Sequence, residues 1–497
     1  MRADRPSRGA LIVAAGLVLA GCTATSPVPS PTPTPTAAEP RPFTVTVTER
    51  PATYDPAAAT NAVDAIVALN TFSRLMIVHA EQGVPKPDLA TDCLYTSATV
   101  YECQLPKDLV FHNGHALTAS DVKFSIERAY RLGVPLASTT LLDSLQKVDV
   151  VDDLTVRFSL RWADSQFGNA LASPAASIVD EEIYDPDAVR PNLGQVIGSG
   201  PYRLVTTADD ELVFERFEEY QGADTGTLDR VRLSFAADSA SVEQVMAEGG
   251  TDVVWRSLSA AAHERLATEA EATEDKLTKG GFRRHQMPAV RVQRLLWHPS
   301  STARLSAELR QVVALSLQAD RSMASLIPST STGAVDAFPT GGQPQVPQLG
   351  GQRLKLTLAY EARVPGQADL ARLVRDRIES QAGVSVQLLP DAPDADLFLT
   401  DRPAWVNTPF GWLQVYTDNA LPGSDAKIDD LLRRARETTD AEQRAALLGE
   451  IQLQAASDLT VLPISQGPES LYLGRTVTIA GDPFGPGYQL GLWSFRR

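Results

Sequence analysis

Apolar residues recur along this chain with two periods, and each period predicts a different element. Alternation of apolar and polar residues predicts strands, as where Phe43, Val45 and Val47 alternate with threonine. Apolar residues spaced three and four apart predict helices that bury one face. Strands are predicted at 43–48, 148–160, 202–205, 212–217, 231–235 and 354–359, and helices at 121–130, 241–247, 305–317, 368–380, 428–436 and 441–456.

The order of these elements follows no single alternation, which predicts α/β lobes with an inserted subdomain. Two helix starts carry capping boxes, in which a side-chain oxygen and a carboxylate bind free backbone amides. The boxes pair Thr118 with Asp121 and Thr439 with Glu442. The helix after Thr118 is expected to bury one face, made of Val122, Ile126 and Tyr130.

The first forty residues have the composition of an export signal and a spacer. Three arginines precede the apolar run 10–20, which is shorter than the about 20 residues of a membrane-spanning helix. The run ends in Leu19-Ala20-Gly21-Cys22, which resembles the lipobox of bacterial lipoproteins. Residues 1–21 are therefore predicted to be a lipoprotein signal peptide and Cys22 its lipidation site; the alternative is an ordinary secretory signal with a chance cysteine. Residues 22–42, rich in Pro and Thr, are predicted to form an extended tether.

The remaining chain has the composition of a folded, acidic protein. With 497 residues, 43% hydrophobic and 21% charged, it is long enough for two lobes with separate cores. The formal net charge is -16, whereas phosphate backbones and anionic lipids attract basic surfaces. The composition therefore argues against nucleic acid as a partner and against membrane attachment through a basic patch.

Two cysteines remain besides Cys22. An exported protein meets an oxidising environment, so Cys93 and Cys103 are predicted to form a disulfide across adjacent antiparallel strands. A redox or metal role is the alternative, but the spacing is not Cys-x-x-Cys and neither cysteine has an obvious histidine partner. No metal is predicted at His112-x-x-His115, because no Cys, Asp or Glu nearby completes a tetrahedral set.

Several segments carry a signature in chain order. They are Thr53-Tyr54-Asp55-Pro56, 106–114 (PKDLVFHNG), 117–125 (LTASDVKFS), 197–202 (IGSGPY), 214–216 (FER) with Tyr220, 251–254 (TDVV), 309–321, 428–436 and 440–463. In this order they resemble the extracytoplasmic solute-binding proteins of family five, the peptide and nickel class that feeds ABC importers. The resemblance covers nearly the whole mature chain.

This resemblance implies a two-lobed α/β fold of the periplasmic-binding-protein type II with an extra inserted subdomain. The first lobe would take residues 43–80, 190–285 and 462–497, the subdomain 81–189, and the second lobe 286–461. The protein would be a monomer that encloses a peptide or similar small solute between its lobes and delivers it to a membrane permease, without cofactor, metal or catalysis. The alternative is an envelope lipoprotein that senses or scaffolds with the same fold.

Two segments depart from the family pattern. The segment between Arg321 and Leu354 is short, which predicts a reduced second lobe. Residues 399–405 (LTDRPAW) match only in part the family segment whose aspartate holds a peptide α-ammonium. The glycines of 198–201 (GSGP) are expected to permit a strained structural turn rather than to bind phosphate, because the P-loop lysine is missing.

Ligand contacts are expected from aromatic and charged residues on loops between the lobes, because flat aromatic faces bury area with little loss of entropy. Asp401 or Asp418 would hold a cation and Arg256 a carboxylate. Core packing is the alternative for each aromatic residue, and solvated surface for each charged one. The candidates are Phe72, Trp255, Arg256, Trp297, His298, Asp401, Trp405, Trp412 and Tyr416.

Overall fold

A mixed ten-stranded sheet runs through the body of the protein. The computed structural model describes residues 41–80, 82–349, 353–381 and 383–497. Cys22, the predicted signal peptide and nearly all of the predicted tether lie outside these residues. The chain from Pro42 to Arg497 forms one unit, and no helix in its described part is long and apolar enough to cross a membrane.

Strands and helices alternate irregularly along the described chain. The strands are β1 (Phe43–Val47), β2 (Met76–Ile77), β3 (Lys86–Pro87), β4 (Asp92–Ser97), β5 (Val100–Gln104), β6 (Leu145–Asp152), β7 (Thr155–Leu160), β8 (Tyr202–Thr207), β9 (Glu211–Arg216), β10 (Arg230–Phe235), β11 (Val253–Trp255), β12 (Phe282–Trp297), β13 (Leu354–Tyr360), β14 (Val384–Pro390), β15 (Leu397–Asp401), β16 (Val461–Gly474), β17 (Thr478–Ile479) and β18 (Phe495–Arg496). The helices are α1 (Ala62–Thr71), α2 (Ala119–Leu132), α3 (Phe167–Ala170), α4 (Ser239–Ala247), α5 (Ala260–Glu271), α6 (Ala307–Ser316), α7 (Gln367–Gln381), α8 (Pro409–Thr417), α9 (Asp425–Glu437) and α10 (Ala441–Asp458).

Two long strands join the two halves of the large sheet. Its order is β14-β13-β15-β12-β16-β11-β1-β10-β9-β8. β12 and β16 have 16 and 14 residues and pair antiparallel. Their register shifts between Met287 and Arg291, and such an irregularity bends a strand. β13, β14 and β15 therefore lie on one side of this pair, and β11, β1, β10, β9 and β8 on the other.

Each half of the sheet has its own apolar core, and burial of this apolar surface stabilises each half. One core joins β13 to β15 with helices α6 to α10, through residues such as Val313 and Ile451. A second joins β1 and β8 to β11 with α1, through residues such as Val45 and Ile66. A third core lies between α2 and a smaller sheet of order β4-β5-β7-β6. The predicted lobe boundaries stay predictions.

The half of the sheet around β1 is closed by residues from both ends of the described body. The rings of Phe43 and Phe495 stack with centroids 5.6 Å apart. The buried Asp252 carboxylate accepts a hydrogen bond from the Thr44 amide at 2.8 Å and another from Nη2 of Arg497 at 2.8 Å. Residues at the beginning and the end of the body thus share one carboxylate.

Cys93 and Cys103 face each other in the smaller sheet. They form a cross-strand pair between β4 and β5, and their Sγ atoms are 1.98 Å apart. The chain turns between them at Ala98 and Thr99. A bond here closes a short loop, which restricts the unfolded chain.

The six predicted helices are all present, with ends displaced by no more than three residues. The single strand predicted at 148–160 is wrong, because the chain turns back after β6 and returns as β7. The Leu154 amide donates to Oδ1 of Asp152 at 2.9 Å. An aspartate side chain that binds the backbone two residues on favours a turn.

The first capping box is confirmed and the second is wrong. Thr118 and Asp121 bind each other's backbone amides at the start of α2. At the start of α10 the cap is Asp440 rather than Thr439, and its Oδ1 accepts from the Gln443 amide at 2.9 Å. A carboxylate is both an acceptor for the free amides and a negative charge at the positive end of the helix.

The buried face of α2 also differs from the prediction. Val122 and Ile126 are buried, but Tyr130 is 39% exposed and lies under the Arg161 guanidinium. Tyr130 follows Val122 by eight residues. At about 100° per residue, its side chain points roughly 80° away from that of Val122 around the helix axis. Ala129 takes the buried position instead, with 1% exposure.

The turn at Gly198 and Gly200 is unstrained, contrary to the prediction, since neither glycine has a positive φ. A Cβ at Gly198 would lie 2.1 Å from the Thr71 carbonyl oxygen, and one at Gly200 would lie 2.6 Å from the Phe72 nitrogen. The Gly200 amide donates to the same Thr71 carbonyl at 2.9 Å. These glycines are required because the turn packs against the end of α1.

We expect Gly198→Ala to destabilise the body by several kcal/mol, because backbone on both sides prevents relaxation. Gly449→Ala is the matched control. Its Cβ would meet Val335 at an ordinary 3.4 Å, and alanine favours a helix by about 1 kcal/mol over glycine. Urea unfolding followed by circular dichroism measures both, and a Gly198→Ala protein as stable as the wild type would contradict the packing argument.

Candidate functional site

Strands from the two halves of the large sheet run toward each other in opposite directions and end opposite each other. β11 is antiparallel to β16. β15 is antiparallel to β12, which is itself antiparallel to β16, so β15 runs in the same direction as β16 and opposite to β11. β11 ends at Trp255, the partner of Leu471. β15 ends at Asp401, whose partner Gln293 pairs with Ser465. Ligands of open α/β sheets bind beyond the carboxyl ends of strands, so the space between these ends is the candidate site.

Charged side chains from both halves meet at these strand ends. β1 is parallel to β11, and β13 is parallel to β15, so each half contributes two adjacent ends. We call this set the strand-end cluster. Its members are Glu49 after β1, Arg256 after β11, Glu361 after β13, Asp401 and Arg402 at the end of β15, Arg291 in β12 and Glu469 in β16.

Asp401 is the fully buried centre of the strand-end cluster. Nε of Arg291 donates to its Oδ2 at 2.5 Å, and Nη2 of Arg256 lies 3.4 Å from its Oδ1. Nη1 of Arg256 also binds Oε2 of Glu469 at 2.8 Å. Burial by itself raises the pKa of Asp401, but the Arg291 and Arg256 guanidiniums outweigh it and hold that pKa below its usual value. Asp401 therefore stays ionised between two arginines.

The backbone of Arg256 is in the left-handed region, with φ 51°. This conformation is uncommon for a residue with a long side chain and costs about 1 to 3 kcal/mol, so surrounding contacts must hold it. Asp401 and Glu469 supply those contacts through the guanidinium. The strain directs the Arg256 side chain into the cluster.

Arg402 links the two halves of the sheet across the site. Its Nε donates to Oε1 of Glu361 at 2.9 Å, and its Nη2 donates to the same oxygen. Its Nη1 donates to the carbonyl of Thr60, immediately before α1 in the other half. Arg402 thus joins a guanidinium from one half of the sheet to backbone from the other.

Glu49 is the member of the strand-end cluster without an ion pair. Among the described residues its carboxyl group has no hydrogen-bond or ion-pair partner. Burial first, and next the charge of Glu361, raise the pKa of Glu49 to about 8. At neutral pH this carboxyl is therefore mostly protonated.

A second contact joins α9 to the region of the smaller sheet. The buried Arg436 guanidinium pairs with Asp143 and lies 3.7 Å from Oδ2 of the buried Asp164. The Ser165 amide also donates to the Arg436 carbonyl at 3.2 Å. Arg436 thus joins α9 to a residue just before β6 and to the segment between β7 and α3.

Two further bonds extend this contact. Nε1 of Trp405 donates to the carbonyl of Leu136 at 3.0 Å, and Oγ1 of Thr140 donates to Oδ2 of Asp418 at 2.9 Å. Burial raises the pKa of Asp418 to about 6. Trp405 and Asp418, two residues expected to touch a solute, bind the protein itself in this conformation.

The remaining candidate residues contribute no side chain to the strand-end cluster, although Trp255 is the last residue of β11. Trp297 and His298 are at the far end of β12, beside the start of β15, and the His298 ring packs 5.3 Å from that of Phe398. The aromatic side chains packed in the cores, each at most 2% exposed, are Phe72, Trp255, Trp297, Trp412 and Tyr416. Of the nine candidates, Arg256 and Asp401 belong to the strand-end cluster.

Five members of the cluster were missed from the sequence. Glu49, Glu361 and Arg402 each come directly after or within two residues of a strand. The rule that ligands bind at the carboxyl ends of strands would indicate these three residues. Its use requires the pairing of β13 with β15, which the sequence alone does not reveal. Arg291 and Glu469 lie in strand interiors, where no local pattern distinguishes them.

The two histidines of His112-x-x-His115 have structural partners. Burial lowers the pKa of His112 to about 4, and its Nε2 lies 3.0 Å from the Gly200 carbonyl. Nδ1 of His115 lies 2.8 Å from Oδ2 of Asp180. In the described part of the chain, no group of three or more His, Cys, Asp or Glu is arranged to hold a metal ion.

The body resembles solved binding proteins over nearly its whole length. The binding protein AgaA of A. tumefaciens R10, in complex with agropinic acid, superimposes with a TM-score of 0.77 at 19% identity over 92% of this chain and 98% of that one. A dipeptide-binding protein of Pseudoalteromonas sp. SM9913, in complex with Met-Leu, superimposes with a TM-score of 0.75 at 17% identity over 92% of this chain and 100% of that one. The predicted two-lobed α/β fold with an inserted subdomain is therefore confirmed.

Sequence comparison identifies the family. Residues 84–354, more than half of the chain, match the bacterial extracellular solute-binding proteins, family 5. The chain belongs to this family.

Its relatives share the family at low identity. The probable D,D-dipeptide-binding periplasmic protein DdpA of Escherichia coli K12 is 22% identical over 86% of this chain and 89% of its own length. The glutathione-binding protein GsiB of Pectobacterium atrosepticum is 28% identical over 36% of this chain, a match that spans 34% of GsiB. The transcriptional regulator SgrR of the same bacterium is 28% identical over 34% of this chain and 28% of its own length.

We expect Arg436→Gln to destabilise the protein by about 3 kcal/mol, because it leaves the buried Asp164 without a cation. Arg433→Gln, three residues earlier on α9, is the matched control. Arg433 forms exposed pairs with Asp430 and Glu437, so this change should leave the urea midpoint unchanged. Equal midpoints for both variants would show that the Arg436 contact contributes nothing.

Proposed function

We propose that this protein is a lipid-anchored, extracytoplasmic solute-binding protein of an ABC importer, which encloses a peptide or similar small solute at the strand-end cluster. One observation carries the site. Strand ends from both halves of the sheet bring Arg256 and Glu49 opposite Asp401, Arg402 and Glu361. Paired charges of both signs suit a solute with charged termini, since each terminus can replace one internal partner.

The relatives support a peptide-like solute. DdpA is named for D,D-dipeptides, GsiB for glutathione, and the Pseudoalteromonas structure holds Met-Leu. These short peptides each carry an ammonium and a carboxylate. The degenerate segment at 399–405 contributes Asp401, but two arginines already occupy that carboxylate, so we propose that a different group receives the amine.

Membrane attachment is proposed to rest on the lipid at Cys22. Cys22→Ser should release the protein from the membrane fraction and abolish incorporation of labelled palmitate. The double variant Cys93→Ser with Cys103→Ser is the control, and it should keep both the lipid and the membrane attachment. A Cys22→Ser protein that stays in the membrane fraction would overturn the lipid anchor.

Native mass spectrometry of the full-length protein in mild detergent, before and after denaturation, tests the binding function. We expect a co-purified small molecule, and we expect dipeptides and tripeptides to raise the melting temperature. A ligand at 100 times its Kd stabilises the bound form by about 2.7 kcal/mol. An empty protein that no peptide, sugar or metal stabilises would overturn solute binding.

A sensor or scaffold role is the second candidate. The lobes are already joined by the protein's own bonds at Arg402, Trp405 and Arg436, and the relative SgrR is a transcriptional regulator. The same experiment separates the two roles. An empty protein that nevertheless co-purifies with envelope proteins favours the scaffold, whereas a bound solute together with solute uptake lost on gene deletion favours transport.

A further inference from the structure

The strand-end cluster contains one more carboxyl group than it contains guanidiniums. Its arginines are Arg256, Arg291 and Arg402, and its carboxyl groups are Glu49, Glu361, Asp401 and Glu469. Each arginine has at least one carboxylate partner within the cluster. Glu49 is the carboxyl that remains without one.

Glu361 also keeps an acceptor free. Both bonds from Arg402 go to Oε1 of Glu361, and within the described residues its Oε2 accepts no hydrogen bond. Glu361 exerts the largest electrostatic effect of any residue on Glu49. The two carboxyl groups therefore lie near each other at strand ends of opposite halves of the sheet, and each has acceptor atoms without a hydrogen bond among the described residues.

The other charged groups around Glu49 are engaged elsewhere. Arg402 binds Glu361 and the Thr60 carbonyl, and Arg256 binds Asp401 and Glu469. The buried Asp64 carboxylate accepts four backbone amides, those of Ala52, Thr53, Thr60 and Asn61. The charges of Arg402 and Arg256 therefore only partly offset the effect of burial on the pKa of Glu49, and neither arginine forms an ion pair with it.

Glu49 is held rigidly at this position. The preceding Thr48 amide donates to Oγ of Ser257 at 2.9 Å, next to Arg256. The following Arg50 carbonyl accepts from Nδ2 of Asn61 at 3.0 Å, at the start of α1. A partly buried carboxyl without a partner lowers the stability of the fold. Stability therefore does not explain why Glu49 is held here, whereas binding of a ligand does.

We infer that the solute carries a cationic group, an ammonium or a guanidinium, which binds between Glu49 of one lobe and Glu361 of the other. The inference rests on the proposed function and specifies the solute class of that site. A cation here would pair with the Glu49 carboxyl and donate a hydrogen bond to the unused Oε2 of Glu361. Because the two carboxyl groups come from different halves, such a cation would also favour closure.

Proton release would accompany this binding. Burial keeps Glu49 mostly protonated at neutral pH, whereas a bound cation favours the ionised form. Binding of the cation therefore displaces a proton. Affinity should increase as pH rises toward about 8 and level off above it, the direction expected when the bound state holds fewer protons.

Isothermal titration calorimetry with probes that differ only in charge tests the inference. The probes are acetylated, amidated tripeptides Ala-Lys-Ala, Ala-Gln-Ala and Ala-Glu-Ala, with agmatine and spermidine as cations without a peptide bond. On the full-length protein in detergent we expect a cationic probe to bind at least tenfold tighter than the Gln and Glu peptides. We also expect at least a tenfold gain in affinity between pH 6 and pH 8, with proton release shown by comparing buffers of different ionisation enthalpy.

Glu49→Gln keeps the shape of the side chain and removes its charge. It should weaken the cationic probe at least tenfold at pH 8 and abolish both the pH dependence and the proton release. Glu218→Gln, an exposed carboxylate in the same half of the sheet, is the matched control and should change neither. The Glu49→Gln protein should melt no lower than the wild type, because the free carboxyl contributes no pair.

The outcomes separate this inference from the proposed function. Equal or tighter binding of the neutral or acidic peptide, or a co-purified solute without a basic group, overturns the cationic site and leaves solute binding standing. An unchanged affinity and pH profile in Glu49→Gln overturns the role of Glu49. Absence of binding by every probe, together with an empty protein in native mass spectrometry, overturns both proposals.

Discussion

Two antiparallel strands, β12 and β16, decide where the charged groups of this protein meet. Because both strands cross from one half of the sheet to the other, strands paired with them from either half run toward each other and end at the same place. Arg256 and Asp401 then lie close enough to pair across the lobes. Paired charges that are removed from water need their partners, and loss of one partner costs about 3 to 5 kcal/mol. The ion pairs therefore depend on the strands, and the contact between the two halves is held in part by the ion pairs.

Most of the fold was predictable because its signals are local. The amphipathic period found α2, α7 and α10, and the Thr118 capping box fixed the start of α2. The errors came where a second interaction overrode a local pattern. Asp440 replaced Thr439 as a cap, an Asx turn divided 148–160 into two strands, and rotation around α2 exposed Tyr130. The glycines at 198 and 200 were correctly recognised as structural, but their reason is a neighbouring helix that no local pattern reveals.

The candidate site was harder to predict, because it is made of tertiary contacts. Aromatic residues were chosen for their binding chemistry, yet Phe72, Trp412 and Tyr416 are fully packed in cores. Arg256 was found because it follows an expected strand, and Asp401 because it lies in the segment 399–405 that resembles the amine-binding segment of the family. Glu49 and Glu361 are 312 residues apart in sequence, and their proximity depends on the pairing of β13 with β15 and of β1 with β11. Without the strand pairing, the sequence does not show that Glu49 and Glu361 belong to the same site.

The carboxylate of Asp252, shared between Thr44 and Arg497, has a consequence for biogenesis. The half of the sheet that contains β1 cannot be completed until the last residues of the chain are available, since Phe495 also stacks on Phe43. Contacts of such long sequence separation form late and slowly. A chain of this design cannot complete that half of the sheet segment by segment from its beginning, and it gains this half only when residues near 495 reach β1.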